Sequence, residues 1–314
     1  MTIFFIILIL LLMSILIFFG SYNKDLRVKQ NIHYKIDNTD NVEIESVEKG
    51  RDPIQENQVE RDSLIKEKGI AINTRFATPI GFERVPVEEN SFADYLRSLP
   101  LKPDDAEVLY YDGRTKTNQG IYEAVIDMDI GIRNLQQCAD AIMRLRGEYL
   151  YHKEEYNRIH FNLTNGFEVG YTKWSEGYRV AVEGNNTYWV KKTEKSNTYS
   201  EFRKYMNFIF IYAGTISLAQ ELEAVSIEEM MIGDILIQGG SPGHAVIVVD
   251  MAENNKSGEK LYMLAQSYMP AQDIQILKNP NNELISPWYE LNQEEVIKTP
   301  EWTFSKDDLK RFDE

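Results

Sequence analysis

The chain begins with an apolar run, passes through a charged stretch, and then settles into short hydrophobic segments separated by turn residues. Residues Ile3 to Phe19 are apolar apart from one serine, which just meets the minimum of roughly 17 residues for a helix to span a bilayer. Residues 1–21 therefore read as a membrane anchor or a signal peptide. A basic leader and a small-residue cleavage site are both missing around Met1-Thr2 and Phe18-Phe19-Gly20, which favours an uncleaved anchor. Lys24, Arg27 and Lys29 follow the run, and by the positive-inside rule they would hold the downstream side in the cytosol, so orientation is left open. Residues 22–75 are charged, poor in aromatics and without sustained periodicity, as in Glu43-Ile44-Glu45-Ser46-Val47-Glu48-Lys49, and read as a polar tether. Residues 76–314 carry the patterned remainder as one globular domain.

Within that domain Val108 to Tyr111 and Tyr122 to Ile130 predict strands. Asn134 is placed to cap a helix from Leu135 to about Tyr151, because Leu135, Cys138, Ile142, Leu145 and Tyr149 fall on one stripe at helical spacing. Four β-branched and aromatic runs follow, His160 to Leu163, Glu168 to Trp174, Tyr178 to Val182 and Thr187 to Lys191, and predict an antiparallel meander. Tyr199 to Tyr212 and Thr215 to Ala224 predict two helices parted by Gly214. Strands return at Ile235 to Gln238, Ala245 to Met251, Lys260 to Ser267 and Ile274 to Leu277. The pattern predicts an α+β fold, an antiparallel sheet with packed helices.

Composition narrows the function. Acidic residues outnumber basic ones by 49 to 34, and a net charge of −15 argues against a nucleic-acid partner. Cys138 is the one cysteine, so no intrachain disulfide and no zinc-ribbon spacing is available. No cofactor is expected. Asp127 and Asp129 share a strand face at period two and are a weak candidate for a cation or acid/base pair; carboxylates so placed are more often solvated. Trp174, Tyr178, Tyr188 and Trp189 could line a sugar or peptide groove, with core packing as the alternative. Asn162-Leu163-Thr164 and Asn185-Asn186-Thr187 match the glycosylation pattern, which matters only in a eukaryotic secretory host.

The stretch from Gly233-Asp234 through Gly239-Gly240-Ser241-Pro242-Gly243-His244 into Ala245-Val246-Ile247-Val248-Val249 sets a histidine at the mouth of a buried strand. This resembles the histidine half of papain-like thiol hydrolases, notably the NlpC/P60 and CHAP cell-wall amidases. The resemblance covers one strand pair and implies a papain-like core with the meander as an insertion. It further implies a cysteine near a helix N-terminus, which Cys138 supplies about one turn too deep, and Cys138 as a buried core residue is the competing reading. If Lys260 to Ser267 returns antiparallel beside the histidine strand, Gln266 and Ser267 lie opposite His244, and Gln266 is the preferred residue to orient the imidazole. Gly243 would let a ligand approach the loop. Gln136 and Gln137 could donate to an oxyanion, although two exposed helix residues is the plainer expectation.

Over a longer span, Ser91-Phe92-Ala93-Asp94-Tyr95-Leu96-Arg97, Leu135-Gln136-Gln137-Cys138-Ala139-Asp140, Pro242-Gly243-His244-Ala245-Val246 and Leu264-Ala265-Gln266-Ser267-Tyr268-Met269-Pro270-Ala271-Gln272 resemble a bacterial family catalogued as domain of unknown function 4846. That likeness implies an exported, envelope-associated domain, periplasmic or otherwise extracytoplasmic, and brings no activity with it. Two functions are therefore expected. One is a membrane-anchored thiol hydrolase with Cys138, His244 and Gln266 acting on a cell-wall or related peptide. The other is a non-enzymatic module that binds a glycan or peptide through Trp174, Trp189 and Gly243.

Overall fold

The computed structural model describes residues 64–184, 186–292 and 294–313. The expected membrane anchor or signal peptide, and the expected tether as far as residue 63, lie outside the described residues. Residues 64–75, tether-like in composition, are packed: Leu64 and Ile72 are buried, and so is Arg75. The Arg75 guanidinium donates to Gly69 O at 2.7 Å, Asp104 Oδ1 at 3.0 Å and Lys102 O at 3.2 Å. An arginine each of whose three nitrogens finds an acceptor is tolerated in an interior, which charge counting cannot anticipate.

The elements run α1 (Ile72–Arg75), β1 (Glu83–Arg84), α2 (Phe92–Arg97), β2 (Tyr122–Val125) and α3 (Cys138–His152). They continue with β3 (His160–Asn162), β4 (Glu168–Gly170), α4 (Tyr171–Ser175), β5 (Tyr178–Glu183) and β6 (Asn186–Lys191). Next come α5 (Tyr199–Tyr212), α6 (Thr215–Glu221), β7 (Glu223–Ala224), β8 (Ile235–Gln238) and β9 (His244–Glu253). The chain closes with β10 (Lys260–Gln266), β11 (Gln275–Leu277), β12 (Tyr289–Leu291), β13 (Val296–Lys298), β14 (Thr303–Ser305) and β15 (Leu309–Arg311).

The fold is α+β. The main sheet has the order β2-β11-β10-β9-β8-β15-β7, with β1 added on β9 and β12 on β10, and every pairing is antiparallel. The expected meander is instead two hairpins, β3–β4 and β5–β6, parted by α4. Tyr171 and Trp174 stand three residues apart and are both buried, a spacing that a helical turn satisfies and an alternating strand does not. Strand β2 ends at Val125, so Asp127 and Asp129 sit in irregular, exposed chain, and Asp129 faces Arg203 at 3.4 Å.

Alternation along β9 and β10 sorts side chains between two cores. Ala245, Ile247, Val249, Met263 and Ala265 pack with the helices, whereas Val246, Val248, Tyr262 and Leu264 pack with Phe304 and Leu309 from the C-terminal segment. His244 and Gln266 fall on the second side by the same count. A bulge interrupts the ladder, since Met263 pairs with Asp250 but Leu264 with Val248, leaving Val249 as the extra residue. Asp250, fully buried, takes Arg97 Nε at 2.6 Å and Arg84 Nε at 2.7 Å, well away from His244.

Candidate functional site

Cys138 is the first residue of α3, because Gln137 and not Asn134 caps the helix. Asp140 Oδ2 accepts the Gln137 N–H at 3.0 Å, while Asn134 Oδ1 is taken by Ala271 N at 2.8 Å across the fold. The cysteine thus sits where the helix's positive end acts most strongly. It is 5% exposed and lines a cleft of about 270 Å³ between the start of α3, the Gly240–Gly243 loop, the start of α6 and Met269. Burial pushes the thiol up to about 11; the Asp140 charge adds to this, and the N–H groups of Ala139 and Ala245 pull against it.

His244 is the first residue of β9 and is buried. Its Nε2 lies 2.9 Å from Gln266 Oε1, the contact expected of the strand pair. Gln266 Nε2 in turn donates to Glu301 Oε2 at 2.7 Å, and Lys116 Nζ lies 2.9 Å from the same oxygen and 3.2 Å from Gln272 Oε1. The ring stands 4.7 Å from Tyr268, 5.4 Å from Trp302 and 5.9 Å from Phe304. Burial drives the imidazole down to about 4; the Gln266 bond opposes the shift and the Lys116 charge adds to it. The Tyr268 ring abuts His244, and its hydroxyl is raised by burial and then by the Glu301 charge.

The other candidates separate. Gly243 lines the cleft, and a Cβ there would stand 2.5 Å from Thr215 Oγ1 and 2.7 Å from Gln238 O. Trp174 is buried, donates Nε1 to Glu201 at 3.1 Å and stacks under Arg179 at 4.2 Å, so it belongs to the core and not to the cleft. Trp189 is half-buried against Phe167 with Lys173 over its ring at 5.2 Å, again away from the cleft. Gln136 is fully buried, contrary to the exposed position expected of it, and binds Arg144 at 3.1 Å. Gln137 does line the cleft. Among the described residues Asp140 is the one carboxyl side chain on that wall; burial raises it to about 8, and its Oδ1 has no hydrogen-bond partner.

Sequence reasoning missed Lys116, Tyr268, Glu301 and Trp302. Tyr268 stands two residues after Gln266 and was within reach of a local argument. Glu301 and Trp302 come from the turn joining β13 to β14, and nothing in Thr299-Pro300-Glu301-Trp302 signals a site.

The description "Domain of unknown function (4846)" matches residues 72–311, which includes every residue of this arrangement. The chain belongs to that family. No curated protein and no solved structure matches this member of the 4846 family. Among its described residues, no helix is long and apolar enough to cross a membrane, and no group of three or more His, Cys, Asp or Glu is placed to hold a metal ion.

Proposed function

We propose that the domain is a thiol hydrolase of papain-like type that cleaves an amide bond in a peptide, with Cys138 as nucleophile, His244 as base and Gln266 orienting the imidazole. One observation carries this reading: a cysteine at the first position of a long helix, on the wall of a cleft, is lowered by the backbone N–H of the residue that follows a glutamine-held histidine. In the reaction, imidazole takes the thiol proton as Sγ adds to the carbonyl carbon. The backbone N–H groups opening α3 stabilise the oxyanion, and the imidazolium protonates the departing amine. Water then hydrolyses the thioester and restores the thiol. Cell-wall peptides are the substrate class implied by the likeness of the β8–β9 loop to NlpC/P60 and CHAP enzymes, with the N-terminal apolar segment holding the domain at an envelope membrane.

Among the described residues no hydrogen bond joins Cys138 to His244, and a thiol at about 11 and an imidazole at about 4 are both neutral at rest. Ionising the thiol is therefore uphill at rest, so proton transfer accompanies attack on a bound carbonyl. The same neutrality favours the second reading, a module that binds a glycan or peptide without chemistry. Incubating the full chain with cell-wall stem peptides and following cleavage by mass spectrometry separates the two. Hydrolysis that disappears in Cys138→Ala supports the enzyme, and binding without cleavage, unchanged in Cys138→Ala, supports the module.

A further inference from the structure

Four side chains that meet at the start of β9 have only one consistent hydrogen-bond polarity. Lys116 Nζ is a donor and nothing else, and the Glu301 oxygen it faces at 2.9 Å is an acceptor. That same oxygen lies 2.7 Å from Gln266, so the amide must turn its NH2 toward Glu301 and its Oε1 toward His244. Oε1 accepts, and a neutral imidazole carries one N–H, so the proton sits on Nε2 and Nδ1 keeps its lone pair. Turning the amide over would set its carbonyl against the Glu301 carboxylate and its NH2 against Nε2, moving the ring proton to Nδ1.

We propose that Glu301, held by Lys116, is a positioning residue that fixes the tautomer of His244 through the amide of Gln266. Its importance to catalysis rests on the thiol-hydrolase reading, where a base needs a bare ring nitrogen, but the tautomer itself does not. The geometry around Glu301 is built to hold it. Lys116 is 4% exposed, so the carboxylate is the countercharge of a buried cation, and the ammonium also lies 5.4 Å over the Tyr268 ring. The turn bearing Glu301 is closed by Thr299, whose N–H and hydroxyl both donate to Trp302 O at 2.9 Å. Trp302 Nε1 then donates to Gln238 Oε1 at 3.0 Å, and Gln238 is the residue directly across β8–β9 from His244. The turn is therefore fastened to the strand neighbouring the histidine, and Glu301 meets Gln266 from a fixed side.

Histidine-selective 15N NMR on the full chain reads the tautomer directly, with the His244 signals assigned by a His244→Gln variant. The wild-type protein is expected to show protonated Nε2 and bare Nδ1. E301L leaves Gln266 Nε2 no acceptor and frees the amide to turn, and at least a tenfold shift of population toward the Nδ1–H form is expected. E301Q, whose amide oxygen Lys116 holds in the same place, should retain the Nε2–H form. Where E301L does not fold because Lys116 loses its countercharge, K116M/E301L removes both charges and makes the same test. A wild-type protein with the proton on Nδ1, or a folded E301L or K116M/E301L that keeps the wild-type tautomer, overturns the proposal. Absence of hydrolase activity leaves these spectra as predicted and overturns only the functional reading. If hydrolysis is found, E301L should lower kcat with KM little changed.

Discussion

The backbone N–H of Ala245, one residue past His244, lowers the Cys138 thiol against the rise that burial imposes, so the start of β9 acts on the start of α3. That influence involves no imidazole. The imidazole is held separately, by Gln266 on one edge and by Tyr268, Trp302 and Phe304 around its faces. The two halves of the site can therefore be perturbed one at a time.

Alkylation of Cys138 should be slow at neutral pH in the folded protein, because burial holds the thiol up to about 11. Below that value the thiolate fraction rises tenfold per pH unit, so the iodoacetamide rate should climb with the same slope from pH 7 to 9. A rate that levels off near neutral pH would mean a thiolate already formed at rest and a thiol not held up by burial.

Gly243→Ala places a methyl against Thr215 Oγ1, Gln238 O and Gly240 N at 2.5, 2.7 and 2.8 Å. Two of those three atoms are backbone and cannot swing aside. A loss of about 1–3 kcal/mol is expected, seen as a Tm lower by several degrees in a thermal melt. A Tm equal to wild type would show that the loop is looser than its contacts indicate.

Asp140 keeps its proton to about pH 8 in the folded protein, against an ordinary value of 3.8. Between those values the folded state binds more protons than the unfolded chain, so stability falls as pH rises through the window. Asp140→Asn preserves an acceptor for the Gln137 N–H and removes this dependence. Relative to wild type it should gain stability with rising pH from 4 to 8, at up to about 1.4 kcal/mol per pH unit, measured by urea unfolding at a series of pH values. A pH-independent difference between the two proteins would contradict the assignment.

Trp174→Ala should cost about 3–5 kcal/mol, because it empties a core site and leaves Glu201 without an indole donor. Ligands that occupy the cleft at Cys138 should bind a folded Trp174→Phe variant as they bind wild type. A selective loss of binding in that variant, with its melt unchanged, would return Trp174 to the groove that the sequence suggested.

What could be read from the sequence depends on how local each determinant is. Helix α5 runs from Tyr199 to Tyr212 and strand β8 from Ile235 to Gln238, both as their hydrophobic patterns predict. The meeting of His244 and Gln266 is likewise legible, since a hairpin with a short turn brings the two together once alternation is counted. The start of α3 is not legible. Asn134 is a good cap in isolation, and the bond to Ala271 that claims its side chain comes from the far end of the domain. Strands β13 and β14 are three residues each and acquire their shape from pairing, so Glu301 and Trp302 carry no signal of the site they complete. Trp174 looks like a groove residue for the opposite reason: aromatic runs suit a strand surface as well as a helical turn, and only packing against α5 decides.

The bulge at Val249 divides β9 into two segments of opposite parity. His244 and Asp250 are six residues apart and would share a side of an unbroken strand; the extra residue instead sends the aspartate toward Arg97 and the helices. Insertions and deletions consequently have two separate addresses along one strand. A one-residue change on the His244 side of the bulge would re-aim the imidazole and spare the arginine pair, and a change on the far side would do the reverse. Either end of the strand can therefore be redesigned without disturbing the other.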